Sequence, residues 1–333
     1  MFRIVCYIDV SYREILLINA KISKIEKIAA SVAKISFIAE DGNALPSFTP
    51  GAHVDVKVNE DITRQYSLCG SARDVNEYSI AVLRDSHSRG GSVAIHDTFR
   101  VGMAVQISAP KNLFPLGEHD GKVILVAGGI GITPLISMMK SLDDLGKQYL
   151  LLYVHKPAQQ IPFDKELAAG VNTGKVILIP SESREIIVKR LRELIPAFED
   201  GCGLYTCGPD GFMSKVNEIA REKSWPDFAL NQEKFSHDIS TTGADTAFTM
   251  HLVQSNIHIN VSTEQTALEA LDEAGIEVDA SCEQGICGTC VLRVLDGKVD
   301  HRDAWLTDAE KSANDRFTPC CSRALTPSLS IDL

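Results

Sequence analysis

Apolar residues change their spacing twice along the chain, and each change marks a different kind of element. From Ala20 to about Pro115 the apolar runs are short and alternate with polar positions. Residues 32–38, 53–58, 78–83 and 104–108 read as strands, because alternation sends every second side chain to one face. Asp41-Gly42, Pro50-Gly51 and Arg89-Gly90-Gly91 separate them as turns. Short strands with such punctuation predict a small antiparallel barrel. Pro110-Lys111-Asn112-Leu113-Phe114-Pro115 then breaks the pattern.

Beyond Gly121, strands alternate with helices. Residues 123–127 form a continuous apolar run, as in a parallel strand buried on both faces. Gly128-Gly129-Ile130-Gly131-Ile132-Thr133-Pro134 follows, then a helix predicted over 135–145 with Thr133 as its cap and Gly146 as its stop. Further strands are predicted at 149–154, 176–179 and 203–206. The last leads into Cys207-Gly208-Pro209-Asp210-Gly211-Phe212-Met213 and a helix ending near Lys223. A final strand near 227–231 runs into Glu233-Lys234-Phe235. The polar stretch 236–245 has no periodicity and reads as a linker. After it come strands at 248–254, 258–261, 291–295 and 329–331 around one helix at 267–274, a β-grasp arrangement. The expected organisation is an extension over 1–17, a β-barrel over 18–115, a parallel-sheet α/β domain over 116–235, the linker, and a β-grasp domain over 246–333.

Composition narrows the possibilities. No apolar run reaches the 18 residues of a membrane span, and residues 1–20 lack a small-residue cleavage site, so no membrane anchor or signal peptide is expected. Nine cysteines, an odd number, suit a reducing cytoplasm better than secretion. The net charge is −11, and from Thr246 onward there are 14 acidic against 6 basic side chains. Nucleic acid is therefore excluded as the expected partner, while an acidic face suits docking to another protein.

The tail holds the most specific chemistry. Cys282, Cys287 and Cys290 stand in a C-x4-C-x2-C run, and Cys320 follows with 29 residues between. This is the plant-type ferredoxin spacing of a [2Fe–2S] cluster. Gly285 and Gly288 allow the tight loop that brings the sulfurs together. A zinc knuckle or a disulfide pair is the alternative, but only one C-x2-C pair is present. Arg64-Gln65-Tyr66-Ser67-Leu68 supplies a cation, an aromatic ring and a hydroxyl on one strand, the set a flavin needs. Alone it reads more readily as an ordinary strand with an exposed arginine and a core tyrosine. Ser88-Arg89-Gly90-Gly91-Ser92 opens a short helix whose N–H groups could face a phosphate. The 128–134 turn makes a second such cradle, for a pyrophosphate. It departs from G-x-G-x-x-G, and His155-Lys156, not an acid, ends the next strand.

Taken in this order, these motifs resemble the phthalate dioxygenase reductase family, over roughly residues 21–333. The resemblance implies FMN on the barrel, a reduced nicotinamide nucleotide on the α/β domain, with NADH favoured over NADPH, and [2Fe–2S] at the C-terminus. It implies that Arg64, Tyr66, Ser67 and Leu68 bind the flavin, with Gly90, Gly91 and Ser92 near its phosphate. Gly129, Gly131 and Thr133 would face the nucleotide and the flavin edge. Cys207, Gly208 and Pro209 would flank the nicotinamide, and Phe235 would cover the flavin where nicotinamide docks. Ser67, Thr133, Cys207 and Phe235 are thus the expected catalytic set. Two thiols are adjacent at Cys320-Cys321, and the family spacing before Arg323 selects Cys320. The implied function is a monomeric cytoplasmic reductase feeding a terminal Rieske oxygenase. The alternative is a non-enzymatic electron carrier or redox sensor with a vestigial nucleotide fold. A self-contained oxygenase is not supported, since no Rieske pair or 2-His-1-carboxylate pattern is present.

Overall fold

The computed structural model describes residues 17–60, 62–86, 90–157, 160–235 and 245–333. Residues 1–16 of the expected N-terminal extension, nearly all of the linker, and Ser88 and Arg89 lie outside the described residues, and Leu17, expected to end the extension, opens the first strand.

The first sheet is antiparallel throughout. Its six strands run in the order Thr63–Ser67, His53–Lys57, Ala104–Ser108, Leu17–Ala29, Val32–Ala39, Tyr78–Leu83. A bridge between Leu68 and Ile80 joins the two ends into the expected barrel. Ile22, Phe37, Val54, Ile80 and Ile107 fill its interior. The 13-residue strand Leu17–Ala29 was not visible as such in the pattern. Register shifts between Ile22 and Lys24 and between Lys27 and Ala29 break its alternation. Such bulges also sharpen the bend that a small closed barrel needs.

The second sheet is wholly parallel, in the order Leu230–Glu233, Gly203–Cys207, Val123–Gly128, Tyr149–His155, Val176–Pro180. Strand Val123–Gly128 shows why its sequence is continuously apolar. Val123, Leu125 and Ala127 pack into one helical layer with Leu135 and Met138. Ile124 and Val126 pack into the other, with Val216 and Ile219. Strand order reverses between Val123–Gly128 and Gly203–Cys207. In open α/β sheets the ligand crevice lies at such a switch point, beyond the carboxyl ends of the strands.

The helix after the glycine turn starts earlier than its pattern indicated, at Ile132, and runs to Asp144. A single 3-10 turn, Gly129–Gly131, precedes it and makes Gly131 the cap. Thr133 therefore falls inside the first helical turn, where its hydroxyl donates to the Ile130 carbonyl at 3.1 Å instead of capping.

The third unit carries strands in the order Ile257–Val261, Phe248–Leu252, Ser328–Ile331, Leu292–Asp296, Arg316–Phe317. Its first and last strands, Phe248–Leu252 and Ser328–Ile331, pair in parallel at the centre, with helix Ala267–Glu273 packed on them, the β-grasp pattern. The helix opens with a full capping box between Thr266 and Glu269. Barrel, parallel α/β sheet and β-grasp are the folds that the hydrophobic pattern predicted. Among the described residues, no helix is long and apolar enough to cross a membrane.

Candidate functional site

Strand Thr63–Ser67 carries the proposed flavin set and touches both neighbouring units. The Arg64 stem lies against Gly91, where a Cβ would come within 2.6 Å of Arg64 Cγ. Only glycine lets the start of helix Gly91–Thr98 sit that close to the guanidinium. Gly90 caps this helix in the left-handed region at φ 84°, with open space beside it. Arg64 and this helix start are thus adjacent, a pairing whose chemistry fits a flavin phosphate. Ser92 uses its hydroxyl to hold the loop, bonding the backbone of Asp85. Tyr66 is half-buried against the barrel core, and burial pushes its hydroxyl up to about 12. Leu68 is fully buried.

Ser67 donates to Glu233 Oε2 at 3.2 Å, linking the barrel to the last strand of the parallel sheet. In that sheet Glu233 stands directly opposite Cys207. Burial pushes the Glu233 carboxyl up to about 8, against the opposing bond from Ser67. Burial, and then Glu233, push the Cys207 thiol well above its ordinary range. Ser67, Cys207 and Glu233 therefore gather as neutral groups at the switch point. The sequence pattern singled out the Glu233-x-Phe235 pair without giving Glu233 a role. Its high carboxyl is a product of tertiary burial, which no local signal records.

The two glycine turns meet face to face. A Cβ on Gly131 would overlap the Cys207 carbonyl, and one on Gly208 would lie 3.0 Å from Gly128 Cα. Gly129, at φ 58°, has nothing within 4 Å of its missing Cβ and faces open space. Thr133 is buried. Pro209 caps helix Asp210–Glu222. Phe235 is 40% exposed, an aromatic ring with room to cover a neighbouring ring system.

In the third unit Gly285 and Gly288 take φ of 68° and 70°, the left-handed region that glycine supports. A Cβ on Gly285 would overlap the Cys321 sulfur and lie 3.0 Å from Asp303, and one on Gly288 would overlap the Trp305 ring. Trp305 thereby packs directly on the cysteine loop while staying 39% exposed. The Cys282 sulfur faces Cys287 and the N–H groups of Gln284 and Ile286. The Gln284 contact measures 3.3 Å. Cys320 faces Cys290 and the Gly285 N–H. Cys321 lies against Cys320, and it also has the hydroxyls of Thr318 and Ser322 beside its sulfur, at 3.5 and 3.9 Å. Paired thiols with converging N–H groups fit an iron–sulfur cluster, whose potential such bonds tune.

The loop also reaches the barrel. Glu283 Oε2 lies 3.8 Å from Arg64 Nη1, and Ser281 donates to Asp55 Oδ1 at 2.6 Å. Neither contact has a local sequence signal.

Residues 250–325 match the 2Fe-2S iron-sulfur cluster binding domain. Over 317 residues the chain is 41% identical to vanillate O-demethylase oxidoreductase of Pseudomonas sp. (strain HR199 / DSM 7063), covering 95% of this chain and 100% of that protein. It is 35% identical over 314 residues to the carnitine monooxygenase reductase subunit of Acinetobacter baumannii, covering 94% of this chain and 97% of that protein. The structure of phthalate dioxygenase reductase, described as modular for electron transfer from pyridine nucleotides to [2Fe-2S], superposes with a TM-score of 0.77 at 33% identity, covering 95% of this chain and 98% of that one. The chain belongs to the phthalate dioxygenase reductase family.

Proposed function

We propose that this chain is the reductase component of a Rieske-type oxygenase system, passing electrons from NADH through FMN and a [2Fe–2S] cluster to a terminal oxygenase. One observation carries the reading. The five-residue strand Thr63–Ser67 touches the nucleotide sheet through Ser67 and Glu233 and the cysteine loop through Arg64 and Glu283. The proposed flavin strand would thus stand between the sites proposed for the electron donor and the acceptor.

Nicotinamide gives an electron pair as hydride, a flavin can part with that pair singly, and a [2Fe–2S] cluster takes one electron at a time. The residues of this chain bind and orient. Arg64, Gly90, Gly91 and Ser92 would hold the flavin phosphate, Tyr66 would cover the ring, and Ser67 would offer its hydroxyl to the ring edge. Leu68 anchors that strand in the barrel core. Gly129, Gly131 and Thr133 would shape the bed of the nucleotide, with Cys207, Gly208 and Pro209 flanking the nicotinamide and Phe235 covering the docking face. Holding the reacting atoms at about 3–3.5 Å is the main catalytic task. Cys282, Cys287, Cys290 and Cys320 would ligate the cluster. The chain would act as a cytoplasmic monomer, its acidic C-terminal unit docking to the oxygenase.

A chain ending at Phe235 tests the reading. It should keep flavin and oxidise NADH with ferricyanide, yet fail to reduce the oxygenase. Full oxygenase turnover by the shortened chain would contradict the route.

A further inference from the structure

Two neighbours of the first cysteine of the loop leave their own unit and reach the barrel. Ser281 is 2% exposed and bonds Asp55 Oδ1 across 226 residues of sequence. Glu283 takes a φ of 53°, unusual for a residue with a side chain, and pairs with Arg64. Asp55 is 4% exposed, and both of its oxygens are engaged. Oδ2 accepts from Lys111 Nζ at 2.9 Å, and the Asp55 amide donates to Ser108 Oγ at 2.9 Å. Burial works against the Asp55 carboxylate, yet the bonds from Ser281 and Lys111 hold it below its ordinary range.

The geometry of the barrel hairpin gives these contacts a direction. Asp55 stands opposite Gln65, and Val56 stands opposite Arg64. Directly opposed residues share a face and successive residues alternate. Asp55 and Arg64 therefore lie on opposite faces of the hairpin that carries the flavin set. The loop around Cys282 is tied to both.

We propose that Asp55 is a positioning residue for electron transfer from flavin to cluster. Lys111 fixes the carboxylate, and Ser281 transmits that position to the adjoining ligand Cys282. The inference rests on the electron route proposed above. One-electron transfer slows as the gap between donor and acceptor widens, so a displaced cysteine loop lengthens the path that the electron must cross. Nothing in hydride transfer from NADH uses Asp55 or Ser281.

Rapid mixing of the full chain with NADH, without oxygen, separates the two steps by their absorbance. Ser281→Ala and Asp55→Asn should retain flavin and cluster absorbance, the rate of flavin bleaching and ferricyanide turnover. Both should slow cluster reduction severalfold, and Ser281→Thr, which keeps the hydroxyl, should restore it. If Asp55→Asn does not fold, the serine pair decides. Cluster reduction at the unaltered rate in Ser281→Ala would overturn the proposal. Equal slowing of flavin bleaching, or loss of cluster absorbance, would overturn it too, by showing a general structural defect. Failure of NADH to reduce the cluster in the unaltered chain would instead sink the route on which the proposal rests.

Discussion

The two contacts made by the flavin strand are built from opposite chemistry. Toward the nucleotide sheet, Ser67 meets a carboxyl that burial keeps protonated, beside a thiol raised by the same cause. Toward the cysteine loop, Arg64 meets Glu283, and Asp55 is held between Lys111 and Ser281. Neutral groups suit a crevice where a planar ring must dock and leave, because buried charge there would carry a desolvation cost. The bonds to Asp55 suit a boundary that must hold one orientation, since charge-assisted bonds are short and directional. The comparison separates a side built for exchange from a side built for permanence.

The contrast can be broken most severely at the cluster. Cys320→Ser should abolish the visible iron–sulfur absorption, whereas Cys321→Ser should leave it, because Cys320 faces Cys290 while Cys321 lies behind it against Cys320, Thr318 and Ser322. The reverse result would reassign the fourth ligand.

A smaller effect is expected at the strand itself. Arg64→Ala removes a charge-assisted phosphate bond of about 1.5–3 kcal/mol, so flavin retention should weaken by roughly tenfold or more. Flavin absorbance per chain after gel filtration measures this, and full occupancy would speak against the phosphate role.

The mildest test sharpens the neutral side. The Glu233 carboxyl is pushed from its ordinary 4.5 up to about 8 by burial. Between those values the folded chain keeps a proton that the unfolded chain has lost, so this group's stabilising contribution is full below 4.5 and is lost as pH rises through about 8. Glu233→Gln, neutral at every pH, should flatten that part of the stability profile in thermal unfolding without nucleotide. An unchanged slope would mean that the carboxyl is ionised in the folded chain.

Much of this was readable from the sequence where the signal is local. The run into Gly128 predicted strand, turn and helix because burial on both faces requires continuous apolar residues. The cysteine spacing specified its loop because Cys282, Cys287 and Cys290 lie close in sequence. Thr133 was misread as a cap because an unforeseen 3-10 turn moved the helix start. Strand Leu17–Ala29 was missed because its bulges erase the alternation. Glu233, Asp55, Ser281 and Glu283 drew no role because their partners are brought to them only by tertiary folding.

The central claim is that every electron reaching the cluster crosses the flavin strand. The direct test is the full chain stripped of flavin but keeping its iron–sulfur absorption, mixed with NADH in the absence of oxygen. The cluster should stay oxidised and should bleach once FMN is added back. Bleaching of the cluster by NADH before any flavin is restored would contradict the account.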